Sequence, residues 1–428
     1  MNRILKISFW LSNPLVGLLI PTLYVLILFA SGIMSISASL IDNGSMVYFI
    51  GVTSAMMVVM YLKLRKKSAL ILRDERADDF VGQSTFRKIA LLGFLSGVFI
   101  ALDYYLTIPY QSFNMIAVRL YMPNRVPTML AYIGNLLIPF SSMALGLTIL
   151  FFDKYNKLSR IIGFVVGIGV PVLAALGLGG RGHIFDLMVL IPWWMLQRPV
   201  WGYPILPRGA VTRLGILLVV AVGLWSLFAI SKVRSPFGEE QYELAIKFSS
   251  PLVTPSDQTV QILGKLNPTI ANGVIESLFY WTHSVPVFDL IYNQWDLSPD
   301  LVGVISPVVY RRLETFGIVP SSIEIKENYN RITTSRGVPS NVFTTVLSSI
   351  IISFGRIGGI AFTLILSWFS CSIFIASRKK RQFIYTYLSS ILFLSFFLWF
   401  QFSTTRYPIY EYGIYYAVVF MLLPRRRK

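Results

Sequence analysis

Ten apolar stretches, each bounded by charged or turn-forming residues, leave this chain few folds to choose from. They run approximately over 7–36, 46–62, 89–108, 129–152, 161–180, 183–197, 214–231, 355–377, 384–402 and 409–423. A helix needs about 20 apolar residues to cross roughly 30 Å of hydrocarbon. Composition agrees with membrane insertion, since only 14% of the residues are charged and 55% are hydrophobic, whereas a soluble domain carries about 25% charged residues. So few charges cannot cover a water-facing surface, and the excess apolar surface must face lipid. A soluble enzyme, a secreted disulfide scaffold and a disordered chain are excluded. The expected fold class is an all-α polytopic membrane protein with about ten transmembrane helices.

Pro14 and Pro21 should kink the overlong first segment. Its apolar run exceeds the length of a signal-peptide core, so it reads as a retained first helix. The sixth segment is short. Gly163 and Gly167 form a small-xxx-small pattern suited to close helix packing.

Charge sets the orientation. The formal net charge is +18, which in a membrane chain reads as a topology signal before it reads as nucleic-acid binding. With the N-terminus inside, the inner segments hold Arg3, Lys6, the basic run from Lys63 to Lys88, Lys154, Lys157, Arg160, Arg198, Arg208, Arg213, Arg378–Arg381 and Arg425–Lys428. The short outer loops hold only Arg119, Arg125, Arg181 and Arg406. Both termini are therefore expected inside. The chain divides into helices 1–7 over 1–231, one large outer loop with short helices over 232–354, and helices 8–10 over 355–428.

The loop has its own helix signals. Ser306-Pro307 reads as an N-cap followed by proline at the first helical position, and Gly317 suits the residue just past the end. Val309, Leu313 and Phe316 then share one face. Val274 to Trp295 is rich in aromatics and reads either as a helix lying along the membrane interface or as one packed under the loop.

One cysteine, Cys371, gives no disulfide framework and no cysteine-rich metal site. Two histidines cannot form a three-histidine zinc centre. There is no Walker A loop and no His-Glu-x-x-His motif, and no metal or cofactor is expected. Ionisable residues near the outer face are the functional candidates. Arg181 sits in the tight Gly179-Gly180-Arg181-Gly182 turn. Arg336 lies in Ser335-Arg336-Gly337, Arg356 follows Gly355, and Arg406 lies between the last two spans. Each is alternatively a headgroup contact. As a set they suit a pyrophosphate, which guanidinium groups bind in bidentate fashion. His283, His183 and Glu276 are candidate proton acceptors, and Asp103, Asp289 and Glu411 are further carboxylates near that face.

About ten spans, one dominant late outer loop and an arginine in a Gly-Gly-Arg-Gly turn resemble the bacterial oligosaccharide repeat-unit polymerases, the Wzy-type O-antigen and exopolysaccharide polymerases. The closest local matches are Asn341-Val342-Phe343-Thr344 and Ser353-Phe354-Gly355-Arg356-Ile357-Gly358-Gly359, where Ser353 stands in place of an acidic residue. The resemblance implies a membrane glycosyltransferase fold of the C type in the bacterial inner membrane, with the loop periplasmic. It implies joining of undecaprenyl-pyrophosphate-linked repeat units with release of undecaprenyl pyrophosphate. Arg181, Arg336 and Arg406, with Arg356, would hold the pyrophosphate. His283 or His183 would take the acceptor proton, and Tyr280 and Trp281 would stack on sugar rings. The implied partners are the lipid-linked oligosaccharide, membrane lipid and a chain-length regulator, with no nucleic acid. A repeat-unit flippase and an O-antigen ligase are the alternatives.

Overall fold

The computed structural model describes residues 2–36, 42–65, 80–107, 128–177, 182–207, 252–300, 303, 306–334, 345–400 and 408–422. In chain order these form α1 (Asn2–Leu11), α2 (Pro14–Ala30), β1 (Met34–Ile36), α3 (Asn43–Arg65), α4 (Gln83–Thr107), α5 (Met129–Leu137), α6 (Pro139–Leu150), α7 (Lys157–Gly177) and α8 (Gly182–Gln197). A 3₁₀ turn (Arg198–Trp201) and β2 (Val253–Pro255) follow, then α9 (Asp257–Gly264), α10 (Pro268–Thr282), α11 (Ser284–Gln294), α12 (Pro307–Thr315) and α13 (Ser322–Thr334). The last helices are α14 (Val346–Lys380), α15 (Phe383–Phe397) and α16 (Pro408–Leu422).

Among the described residues, α3, α4, the segment Met129–Leu150, α7 and α14 are long and apolar enough to cross a membrane, and the bent α1–α2 pair makes a sixth. α8, α15 and α16 have only 16, 15 and 15 residues. At 1.5 Å per residue such helices reach roughly 22–24 Å, less than the hydrocarbon thickness. The expected span at 214–231 lies outside the described residues. One feature departs from an all-helical reading: β1 and β2 pair antiparallel, Met34 opposite Pro255 and Ile36 opposite Val253. This ribbon ties the exit of the first span to the large loop.

The first segment bends by 60° between α1 and α2. Asn13 makes the joint. Its side chain accepts from the Val16 N–H at 3.0 Å and donates to the Trp10 carbonyl at 2.8 Å. Pro14 sits at the first position of α2, where its missing N–H costs nothing. Pro21 stays inside α2 without a break. Of the two expected kinks, one occurs.

α14 is really two helices. Gly355 has φ 69° and ψ 178°, a conformation costly for any residue with a Cβ. Val346–Ser353 is buried throughout, and the remaining 25-residue stretch runs to Lys380. The apolar stretch read as starting at residue 355 therefore begins at a real break.

Close packing elsewhere depends on absent side chains. A Cβ on Gly163 would fall 1.8 Å from Thr148 Oγ1, and one on Gly167 2.6 Å from Leu145 Cβ. α7 thus lies directly on α6, as the small-xxx-small spacing suggests.

The described part of the large loop is built into the helix assembly. Ser284–Ile291 of α11 is wholly buried, against α3, α13 and α14. Of the two readings of Val274 to Trp295, the packed helix is the one found. Leu263, Ala271 and Ile275 share a core with Leu28 and Met34. The expected Ser306-to-Gly317 helix is present. Ser306 Oγ accepts from the Val309 N–H at 3.0 Å, and Gly317 has φ 67°. Its apolar face is not covered, since Val309 and Phe316 are 42% and 76% exposed.

Two arginines read as inner-loop charges are buried instead. Arg198, fully enclosed, donates to the Ile149 carbonyl at the C-terminus of α6, to the Pro204 carbonyl at 2.8 Å and to Asp153 Oδ2 at 2.5 Å. Arg378 donates to Ser8 Oγ at 3.0 Å, the Ser8 carbonyl at 3.2 Å and Ser12 Oγ at 2.6 Å, at the C-terminus of α1. Helix C-termini present unsatisfied carbonyls and a partial negative charge, which a guanidinium complements.

Candidate functional site

At the opposite end of α8 the polar chemistry changes. His183, the second residue of that helix, is 5% exposed, and Asp186 one turn on is 1% exposed. Their spacing of three puts both on one helix face, with His183 Nδ1 3.8 Å from Asp186 Oδ2. The same oxygen accepts from the Tyr410 hydroxyl at 2.8 Å. Tyr410 belongs to the first turn of α16. Two helix N-termini therefore meet through one carboxylate, and each brings the partial positive charge of its terminus.

His183 and Tyr410 line a cleft with Ser142, Leu187, Tyr387 and Ser390. Ser142 Oγ and the Tyr387 hydroxyl are 2.8 Å apart. The walls come from α6, α7, α8, α15 and α16 and are otherwise apolar, including Leu145, Ile391 and Trp194. Polar groups in such surroundings persist only when paired.

The next residue on α16, Glu411, faces the large loop. Its Oε1 accepts from Ser306 Oγ at 2.9 Å and from the Tyr415 hydroxyl at 2.9 Å. Ser306 is also the N-cap of α12, so the cap that starts the loop helix is anchored on the helix that carries the site. Nearby, Tyr310 donates to the Pro320 carbonyl at 2.7 Å. Burial first, then the carboxylates Glu314 and Asp300, pushes its hydroxyl pKa up to about 12, so it is a neutral donor at physiological pH.

The expected site residues separate into groups. Arg181, Arg336 and Arg406 lie outside the described residues. Glu276 and Tyr280 fall on α10, with their side chains outside what is described. His283 sits buried between α10 and α11 with Nδ1 against the Phe279 carbonyl. Trp281 is 7% exposed, packed edge-on to Tyr24 and Phe397 with centroids at 5.6 and 6.1 Å. Its ring is enclosed by other rings, which corrects the expectation of an open platform for a sugar. Trp281 also meets Phe185 at 6.3 Å, so α10 and α8 touch two residues from each histidine. Arg356 is exposed and folds over Tyr292, its Cζ 4.1 Å from the ring centroid and Nη2 donating to the Tyr292 carbonyl.

Two of the remaining carboxylates act as caps. Asp289 Oδ1 accepts from the Asp42 N–H at 3.1 Å and from Ser45 Oγ, closing the start of α3 from another segment. Asp103 Oδ1 accepts from the Thr128 N–H at 2.9 Å and from Thr128 Oγ1 at 2.8 Å at the start of α5. Such bonds satisfy orphan groups at a helix N-terminus.

Asp186 and Tyr410 were absent from the sequence-derived set. A signal existed for Asp186: it is an acid inside an apolar run, three residues from a histidine. Tyr410 had none, because its partner lies 224 positions away. Among the described residues no group of three or more His, Cys, Asp and Glu side chains is arranged to hold a metal ion. No family model, curated protein or solved structure matches the chain.

Proposed function

We propose that this chain is a membrane glycosyltransferase of the repeat-unit polymerase type. It joins lipid-linked oligosaccharides on the outer face of the bacterial cytoplasmic membrane, with about ten spans, both termini inside and the large loop periplasmic. The observation that carries the proposal is the meeting of the α8 and α16 N-terminal turns at Asp186. In the sequence, Arg181 comes immediately before α8 and Arg406 two residues before α16. A helix N-terminus with an adjacent arginine favours an anion twice over, through its N–H groups and through the guanidinium.

In the proposed reaction, a hydroxyl of one repeat unit attacks the anomeric carbon of the growing chain. The acceptor oxygen forms the new C–O bond and its proton passes to His183. The bond from the anomeric carbon to the pyrophosphate oxygen breaks, and undecaprenyl pyrophosphate leaves with the electron pair. Asp186 orients Tyr410 and stabilises the protonated imidazole. Arg181, Arg336 and Arg406 offset the charge that grows on the leaving group. The large loop, tied down through Ser306 and Glu411, keeps water from the anomeric carbon.

Replacement of Arg181 by Ala or Asp186 by Asn in the native host, followed by gel display of surface polysaccharide, tests the reading. Loss of the ladder with single repeat units retained, at unchanged protein level, is the expected result. Complete loss of surface sugar would indicate a flippase, and polymer made but left unattached would indicate a ligase. Normal chain lengths in both variants would remove these residues from the reaction.

A further inference from the structure

The turn between α9 and α10 carries an apolar surface that faces away from the protein. Ile262, Leu266 and Ile270 are 56%, 42% and 46% exposed. Between Gln258 and Ile275 the chain has no acid and one charged residue, Lys265. The inward side of the same hairpin is fully used, with Leu263 and Ala271 packed in one core with Leu28 of α2. The outward residues are therefore not a core awaiting closure.

Its position is fixed by hydrogen bonds to the end of the first span. The Ser256 N–H and the Thr259 hydroxyl both donate to the Ile33 carbonyl, each at 3.1 Å, and the β1–β2 ribbon adds its ladder beside them. Ile33 is three residues beyond the end of α2, and an extended chain covers at most about 10 Å in that distance. The headgroup zone on each side of a bilayer is about 5–8 Å deep. On α2 itself Leu23, Leu26 and Ile27 are 46%, 54% and 59% exposed, as lipid-facing residues are. The hairpin is thus held at the level where the lipid-facing surface of α2 runs out.

We infer that the α9–α10 hairpin is a membrane-surface anchor: Ile262, Leu266 and Ile270 enter the outer headgroup–acyl boundary, and Lys265 meets lipid phosphate. Apolar residues beside a cation bind a lipid surface in this way, and the acids of the hairpin, Asp257 and Glu276, stand outside its turn. The consequence is mechanical. The large loop is fastened at one side to α16 through Ser306 and Glu411, and at the other to the bilayer itself. This inference rests on the membrane reading alone and is independent of the polymerase reading.

The chain contains one cysteine, Cys371, which is fully enclosed. Ile262→Cys and, as an aqueous reference, Lys326→Cys on α13 can therefore be labelled selectively with nitrobenzoxadiazole. The labelled proteins are placed in nanodiscs of phosphatidylcholine and phosphatidylglycerol. Shallow doxyl-labelled lipid should quench the label at 262 at least about two-fold more than the label at 326, with blue-shifted emission, while aqueous iodide should do the reverse. Iodide quenching at 262 equal to that at 326 would overturn the anchor. Quenching by neither agent would also overturn it, showing that a second copy or another protein covers the patch. Resistance of both variants to carbonate extraction separates failure of the anchor from failure of the membrane reading.

Discussion

The two ends of α8 handle buried charge in opposite ways. Where α8 finishes, Arg198 and Arg378 are cations held by the carbonyl ends of α6 and α1. Where it begins, Asp186 and Glu411 are acids held by tyrosine and serine hydroxyls beside the N-termini of α8, α12 and α16. In both places the charge sits opposite the local helix dipole. The difference lies in what the surrounding groups have left to give. The arginines are held by backbone carbonyls together with the Ser8 and Ser12 hydroxyls and the Asp153 carboxylate, all committed to bonds that tie helices together. Hydroxyls and an imidazole around the acids can each give or take a proton, and two of these groups, His183 and Tyr410, line a cleft. Under the proposed function, chemistry belongs at the second end and stability at the first.

The sharpest break of this comparison is to remove the cations. Arg198→Ala strands carbonyls of α6 and leaves Asp153 without its partner. Arg378→Ala removes three hydrogen bonds from the last turn of α1, to the Ser8 carbonyl and to the Ser8 and Ser12 hydroxyls. Removing one partner of a buried ion pair costs up to about 3–5 kcal/mol, the Arg198 case, and each hydrogen bond made by a charged group about 1.5–3 kcal/mol, the Arg378 case. Both variants should show a markedly lower thermal midpoint in detergent and less protein in the membrane. Any polymer shortfall should follow protein amount. A normal midpoint with lost polymer would move the chemistry to this end.

At the other end the expected outcome is reversed. Tyr410→Phe removes one hydrogen bond to the buried Asp186, a loss of about 1.5–3 kcal/mol of stability. It should nonetheless shorten polymer sharply, because the orientation of Asp186 against His183 depends on it. His183→Gln should abolish long polymer outright at unchanged protein level. Gel display normalised to membrane protein measures both. If polymer falls only as protein falls, the cluster is structural.

A third variant tests the link between loop and membrane body. Ser306→Ala removes the α12 N-cap, worth about 1 kcal/mol, and one donor to Glu411. Tyr415 still donates to Glu411, so the carboxylate keeps a partner. The expected result is faster protease cutting of residues 306–334 with modestly shorter chains, read by limited digestion and the same gel.

What the sequence disclosed and what it hid follow physical lines. Helix ends were legible wherever a cap is local: Ser306-Pro307 and Gly317 bound a real helix, and Gly355 a real break. The Gly163–Gly167 spacing reported its contact because small-residue packing needs no knowledge of the partner. The roles of Asp103 and Asp289 were hidden, because each caps a helix belonging to another segment. Arg198 and Arg378 were hidden for the same reason. A positive charge after an apolar run looks the same whether it meets water or the carbonyls of a distant helix. The candidate site was half legible. His183 stood out by rarity, while Tyr410 is one of 22 tyrosines and is distinguished only by where α16 places it.

The smallest expected effect lies in the loop, away from both ends, and shows what a solvated acid contributes by contrast. Glu314 accepts from the Ser322 N–H at the start of α13, and this bond, ahead of the nearby Arg311, holds its carboxyl below the usual range. The folded loop thus favours the ionised form. Its contribution is complete above the unfolded glutamate value of about 4.3 and is lost as pH falls through the lowered folded value. Because the side chain is open to solvent, the effect stays local. Amide exchange at Ser322 should be protected near pH 6 and lose that protection as pH drops below 4, while Glu314→Gln should show a flat, lower protection across the range. Equal pH profiles in the two proteins would mean that the α12–α13 turn is held by its Gly317 backbone bonds alone.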